Sequence, residues 1–534
     1  MIFAEHMKNM DRREFLGAAA ISGAAFLAVP KTLYAAAEIP LEEATVTSLQ
    51  AAMSSGQTTA KKITQGYLSR IAKIDKTVNS IIELNPDALA IAAEMDRERK
   101  AGNVRGPLHG IPVVIKDNID TADKMKTTAG SLALADAPVP SKDAFIVSRL
   151  REAGAVLIGK TNLSEWANFR DNDSISGWSG RGGQTRNPYI LDRNPCGSSS
   201  GTGAAIAASL AAIGIGTETD GSILCPSSIC GLVGLKPTVG LVSRSGIIPI
   251  AASQDTAGPM TRTVSDAAVI LDILDAADSD DPATTAGAKR RERKSYSTSL
   301  VADGLRGARI GVARDYWGRN AVVDTVTDAA LEVMKKAGAE LIDIKFPDLR
   351  KFGDAEFLVL QYEFKDGLEK YLKQRGSQHK TLNDLIKFNN DNAAREMPYF
   401  KQGILESSAK LGDLKSKAYL DAIETCRKYA RELGIDKAVN DNKLDAIVAP
   451  SNAPTWMIDT VNGDCGSGYV SSSSLAAVAG YPNITVPAGF AKELPIGISF
   501  FGKAWTEAAL IKFAYSFEQA TKARRPPKYL ATYK

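Results

Sequence analysis

Apolar and polar residues run along this chain in two rhythms. Within residues 59–74, Ile63, Tyr67, Leu68, Ile71 and Ile74 recur at helical spacing. Residues 80–83 (SIIE) predict a short strand, and a second helix opens at Pro86 and runs to about Lys100. The apolar run 111–115 ends at Lys116 and predicts a buried strand. A helix follows over 143–153, a buried strand over 155–160 (AVLIGK), an alanine-rich helix over 203–210, and strands over 213–216 and 232–235. The alternation continues through RIGVA (309–313), a helix over 324–337, ELIDI (340–344), LDAIVA (444–449), NITVP (483–487), IGISFF (496–501) and a helix ending near 521. This order predicts an α/β protein with helices on both faces of a sheet. Residues 350–435 depart from it. They are charged, long and helical in pattern, and read as a helical insertion.

Composition narrows the class. Of 534 residues, 44% are hydrophobic and 24% charged, as in ordinary globular proteins. Basic and acidic residues nearly balance, 65 against 61, which gives no indication of a nucleic-acid partner. The basic run 289–294 (KRRERK) follows a loop-like stretch and reads as a solvated surface segment. DSDD at 278–281 lacks the spacing and the distal glutamate of a calcium loop.

The beginning of the chain carries a processing pattern. Arg12 and Arg13 precede Phe15 and Leu16, an uncharged run reaches Pro30, and Ala35, Ala36 and Ala37 follow. This resembles a twin-arginine export signal. The 16 uncharged residues between Glu14 and Lys31 fall short of the roughly 20 that span a bilayer. Residues 1–37 are therefore expected to be a cleaved leader. The remainder is expected to be periplasmic or secreted, without a membrane anchor. Five cysteines (Cys196, Cys225, Cys230, Cys426 and Cys465) form no C-x-x-C pair, which leaves zinc and thioredoxin-type chemistry unsupported. One or two disulfides in an oxidising compartment and buried free thiols are both open.

Candidate chemistry centres on TETDGSILCP (217–226), where Ser222 follows a glycine. A serine hydroxyl is a poor nucleophile until a base takes its proton. Of the three histidines, His6 lies in the leader, and His379 sits in a polar turn (RGSQHKT) that reads as solvated. His109 precedes a buried strand and reads as a structural histidine satisfied by a backbone carbonyl. GSSSG (197–201) fits a nucleophile elbow centred on Ser199, but the two prolines and polar residues before it supply no strand. The S-x-x-K matches Ser377–Lys380 and Ser407–Lys410 fall in the charged helical region with no K-T-G downstream. Lys116 remains, at the end of an apolar strand. Desolvation lowers a lysine pKa, and neutral lysine is a competent general base.

Lys116, CGSSSGTGAA (196–205) and GTETDGSILCPSSICGLVGLKPTVG (216–240), taken together, closely resemble the amidase signature family. The resemblance implies one large catalytic domain over 38–534, with an open, twisted, mixed β-sheet covered by helices and the helical insertion at about 350–435. It also implies a Ser–Ser–Lys triad. Lys116 would be the base, Ser198 the bridging serine on a cis peptide bond, and Ser222 the nucleophile. The backbone N–H groups of Thr219, Asp220, Gly221 and Ser222 would form the oxyanion hole. Gly197 and Ser199 would support the loop, and neither metal nor cofactor would take part.

The segments 164–189 and GTETDGSI look most like the peptide amidase branch, whose members remove the amide from C-terminally amidated peptides. Departures from the broader pattern fall at Cys196, Ser200, Glu218, Asp220 and Leu224, and bear on substrate choice more than on the triad. The role of the Asp220 side chain is open. The implied activity is hydrolysis of peptide or amino-acid amides through an acyl-enzyme, with release of ammonia. Alternatives are an amidase or esterase for other small acyl compounds and an exported, non-catalytic binding protein. A component of a tRNA-dependent amidotransferase shares the triad, but the leader points away from cytoplasmic tRNA chemistry.

Overall fold

The computed structural model describes residues 39–288, 295–347, 351–466 and 468–533. The expected leader and the basic run 289–294 lie outside them. The chain divides into Met1–Pro40 and Leu41–Lys534, and the second unit holds the fold and the candidate site.

Thirteen strands are seen among the described residues. They are β1 (Ile81–Leu84), β2 (Pro112–Lys116), β3 (Val156–Thr161), β4 (Trp178–Ser179), β5 (Gly183–Gln184), β6 (Ile213–Glu218), β7 (Val233–Lys236), β8 (Thr256–Thr261), β9 (Arg309–Ala313), β10 (Glu340–Ile344), β11 (Ala446–Pro450), β12 (Asn483–Ala491) and β13 (Leu494–Phe501). Eleven of them build one mixed sheet in the order β1-β3-β2-β6-β8-β7-β12-β13-β11-β9-β10, and β4 and β5 form a small hairpin. β3, β2 and β6 run parallel to one another, as do β11, β9 and β10, while the central pairings are antiparallel. This is a single large α/β domain with helices packed against the sheet.

Every residue of β2, β3 and β6 is buried. Parallel strands covered on both faces read as continuous apolar runs, which is why the sequence marks them so clearly. Fully burying each of Val113, Val114 and Ile115 contributes about 1.5–3 kcal/mol. The helix Ala60–Val78 shows the other rhythm. Thr59 caps its start by accepting from Lys62 N at 3.2 Å, Ile63, Tyr67 and Ile71 face the core, and Asn79 ends it in the left-handed conformation.

Strand β8 has no counterpart in the sequence pattern. Gly258 and Pro259 interrupt any strand rhythm in TAGPMT, and pairing with both β6 and β7 makes it a strand. The region expected to be helical holds Gly353–Gln374, Leu382–Asp391, Gly403–Ala409, Lys417–Cys426 and Arg427–Ile435. Phe364, Leu368 and Leu372 from it share a core with Leu163, Trp166 and Phe169. Arg170 clamps the two parts together. Its guanidinium donates to Glu165 Oε1 at 2.7 Å and to the carbonyls of Glu396 at 2.6 Å and Lys401 at 3.1 Å, and lies 4.0 Å from the Phe400 ring centroid.

Candidate active site

The parallel register of β2 on β6 sets Val113 opposite Ile213 and Ile115 opposite Ile215. Both strands thus end side by side, one in Lys116 and the other in Thr217 and Glu218. Ligands in open α/β sheets commonly bind beyond such carboxyl ends.

Lys116 is fully buried. Its Nζ lies 2.8 Å from Ser198 Oγ, 2.9 Å from Thr217 Oγ1 and 3.3 Å from the Thr217 carbonyl. Asn118 Nδ2 donates to the same Thr217 hydroxyl at 3.0 Å. Burial lowers the Lys116 pKa to about 7, and the charges of Asp255 and Glu218 pull weakly the other way. The three oxygens of Ser198 and Thr217 surround the amine, and the Ser198 hydroxyl is placed to give it a proton once it is neutral.

The Ser198 loop is held from several sides. Cys196 N donates to Asn194 Oδ1 at 2.7 Å, and Ser164 N donates to the Ser198 carbonyl at 3.1 Å. The Gly197–Ser198 peptide is cis. A Cβ at Gly197 would stand 2.1 Å from Ser164 Oγ, so a larger residue there must displace that hydroxyl, which accepts from Gly177 N at 2.9 Å. Ser199, the centre of the apparent elbow, is fully buried. Its hydroxyl donates to the Thr217 carbonyl at 3.0 Å and accepts from Thr217 N at 3.2 Å, which fastens the loop to β6. Its amide donates to the Ser222 carbonyl at 3.1 Å.

Beyond β6 the chain turns at Gly221, whose φ of +75° favours glycine. Glu218 clamps the turn by accepting from Ile223 N at 2.7 Å and Leu224 N at 2.9 Å. Ser222 sits on this turn and lines a cavity of about 470 Å³, with Gly197, Thr219 and Asp220 beside it. The amides of Thr219, Asp220, Gly221 and Ser222 donate to no protein acceptor among the described residues. Lys116 and Ser198 are bonded to each other. No hydrogen bond joins the Ser198 and Ser222 hydroxyls to each other, although their loops touch through the Ser199 amide. Catalytic hydrogen bonds are often long without substrate and tighten on binding.

Several contributors carry no sequence signal. Thr217 and Asn118 orient the lysine, and Asp255 accepts from Thr219 Oγ1 at 2.6 Å behind the turn. Burial raises the Asp255 carboxyl to about 6. Cys196 is disulfide-bonded to Cys225, whereas Cys230 is a buried free thiol. His109 is buried with Nε2 2.8 Å from the Met95 carbonyl, the structural role expected of it. His379 is half-buried against Phe388.

The amidase family model matches residues 62–511. The chain belongs to the amidase family. A probable amidase of Arabidopsis thaliana is 40% identical over 92% of each chain. A glutamyl-tRNA(Gln) amidotransferase component from Thermoanaerobacter pseudethanolicus is 32% identical over 91% of this chain and 98% of its own. Among solved structures, native peptide amidase from Stenotrophomonas maltophilia is 49% identical with a TM-score of 0.87, covering 92% of this chain and 99% of that one. A peptide amidase in complex with the competitive inhibitor chymostatin is 50% identical with a TM-score of 0.88, covering 92% and 100%. As an amidase-family enzyme, this protein is a hydrolase of amide C–N bonds.

Proposed function

We propose that this amidase removes ammonia from C-terminal peptide amides or amino-acid amides through a Lys116–Ser198–Ser222 triad. The observation that carries the reading is the fully buried Lys116, lowered to about 7 and 2.8 Å from Ser198 Oγ, behind the cavity that Ser222 lines. Neutral Lys116 takes the Ser198 proton while Ser198 takes the Ser222 proton. Ser222 Oγ then forms a bond to the amide carbon. The oxyanion is met by the free amides after Glu218, and loss of one such donor typically costs about 2.7–4 kcal/mol. The proton returns through Ser198 to the leaving nitrogen and ammonia departs. Water attacks the acyl-enzyme along the same relay and releases the acid.

Preference for peptide amides is supported by the 49–50% identity to peptide amidases, against 32% to the tRNA amidotransferase component. Export is supported by the twin-arginine pattern and by the Cys196–Cys225 disulfide, since disulfides persist in oxidising compartments. The deciding experiment measures ammonia from a peptide amide with wild type and with Ser222→Ala. The variant is expected to lose activity by on the order of a million-fold, the scale of nucleophile removal in serine hydrolases. Equal rates would end the reading.

A further inference from the structure

The cavity beside Ser222 has one-sided chemistry. Asp220 and Asp464 both line it, and among the described residues no lysine, arginine or histidine does. Asp464 accepts from Ser176 N at 3.0 Å, Asn194 Nδ2 at 3.1 Å and Trp456 Nε1 at 3.0 Å. Asp220 accepts from Ser473 Oγ at 2.6 Å. Every one of these donors is neutral. They hold the two carboxyls in place, and neither aspartate forms an ion pair among the described residues; burial raises the pKa of both, and the charge of Lys236 opposes the rise at Asp220.

A second feature points the same way. Trp456 and Tyr469 line the same cavity, their rings edge to face at 73° with centroids 6.3 Å apart. Trp456 is fixed by its bond to Asp464, and Tyr469 is half exposed. Aromatic faces beside a carboxylate attract cations through the ring quadrupole as well as by charge.

We infer that the corner of Trp456, Tyr469 and Asp464, with Asp220 beside Ser222, selects amides whose acyl part carries a cation, an ammonium or a guanidinium. The inference rests on the proposed attack of Ser222 on amides and names the substrates that the site prefers. Substrates with an anionic acyl part meet two like charges. The carboxylate product meets the same charges, which favours its departure.

Four substrates test this by ammonia release: N-acetyl-leucine amide, leucine amide, N-acetyl-lysine amide and the α-amide of N-acetyl-glutamic acid. At least one cationic substrate should exceed N-acetyl-leucine amide in kcat/KM by about tenfold, and the anionic one should fall below it by a similar factor. A gain for N-acetyl-lysine amide assigns the corner to a side-chain cation, and a gain for leucine amide assigns it to the α-ammonium. In Asp464→Asn and Trp456→Leu the ratio of cationic to neutral kcat/KM should drop by about fivefold or more, whatever each variant does to the absolute rate. Added salt should raise KM for the cationic substrate and leave the neutral one unmoved. Equal kcat/KM for cationic and neutral amides, or an unchanged ratio in both variants, would overturn the inference while the amidase reading stands. Ammonia from none of the four would overturn both.

Discussion

Cys196 and Cys225 are joined by a disulfide that ties the loop bearing Ser198 to the turn bearing Ser222. The two half-cystines stand two residues before one serine and three after the other, so the bridge closes around the candidate triad. Both line the same cavity as Ser222.

Closing 29 residues of sequence separation restricts the unfolded chain. In the chain-entropy account this contributes about 3–4 kcal/mol. The double variant Cys196→Ser, Cys225→Ser should lose stability of that order in denaturant titration. Unchanged stability would show that the bridge does not form in solution.

The depressed pKa of Lys116 sets a pH profile. Below about pH 7 the amine is protonated and cannot accept from Ser198. Under the proposed relay the charged form is inactive, so kcat/KM should climb as pH rises through about 7 and then level off. Lys116→Ala should remove this rise and cost about 10²–10⁴-fold in rate. A rise that persists in the variant would assign the titration to another group.

A side chain at Gly197 would have to push the Ser164 hydroxyl off its bond to Gly177 N, because an added Cβ would stand 2.1 Å from Ser164 Oγ. Gly197→Ala should displace Ser198 and lower kcat by at least about 100-fold, the scale of an ångström-level misplacement of a reacting group. Adding Ser164→Gly to that variant should restore part of the loss. A fully active Gly197→Ala enzyme would refute the packing argument.

The Arg170 clamp predicts an alkaline weakness. Burial, with the charge of Glu165 adding to it, raises Glu396 to about 8, while the Leu132 amide and Arg170 oppose the rise. A carboxyl whose folded pKa exceeds its ordinary value near 4.5 binds its proton more tightly when folded. That stability is complete below the ordinary value and is lost as pH rises through about 8. Tm measured from pH 6 to 9.5 should therefore fall more steeply for wild type than for Glu396→Gln, which keeps the acceptor for Leu132 N. Parallel curves would contradict the assignment.

Legibility in the sequence follows local pattern. RIGVA and ELIDI are strands at the expected residues, and Lys116 stands out because an apolar run stops at it. Ser198 and Ser222 stand out through motifs dense in glycine and serine, where the backbone must turn tightly. β8 escapes because Gly258 and Pro259 carry no periodicity, and its hydrogen bonds come from strands remote in sequence. Thr217, Asn118 and Asp255 escape because an ordinary polar residue becomes a positioning group only through its neighbours. The disulfide partners stay open because cysteine spacing alone does not reveal which sulfurs meet.

Chain order and hydrophobic pattern alone determined the α/β class, the strand that ends in Lys116 and the residue types able to carry the chemistry. These follow from short-range sterics and from apolar surface leaving water, both written in adjacent residues. Tertiary packing decided that Lys116 loses solvent on every side, that Thr217 and Ser198 become its partners, and that acidic and aromatic side chains distant in sequence share one cavity. Desolvation and charge depend on what surrounds a group in space, and residues far apart in the chain supply those surroundings.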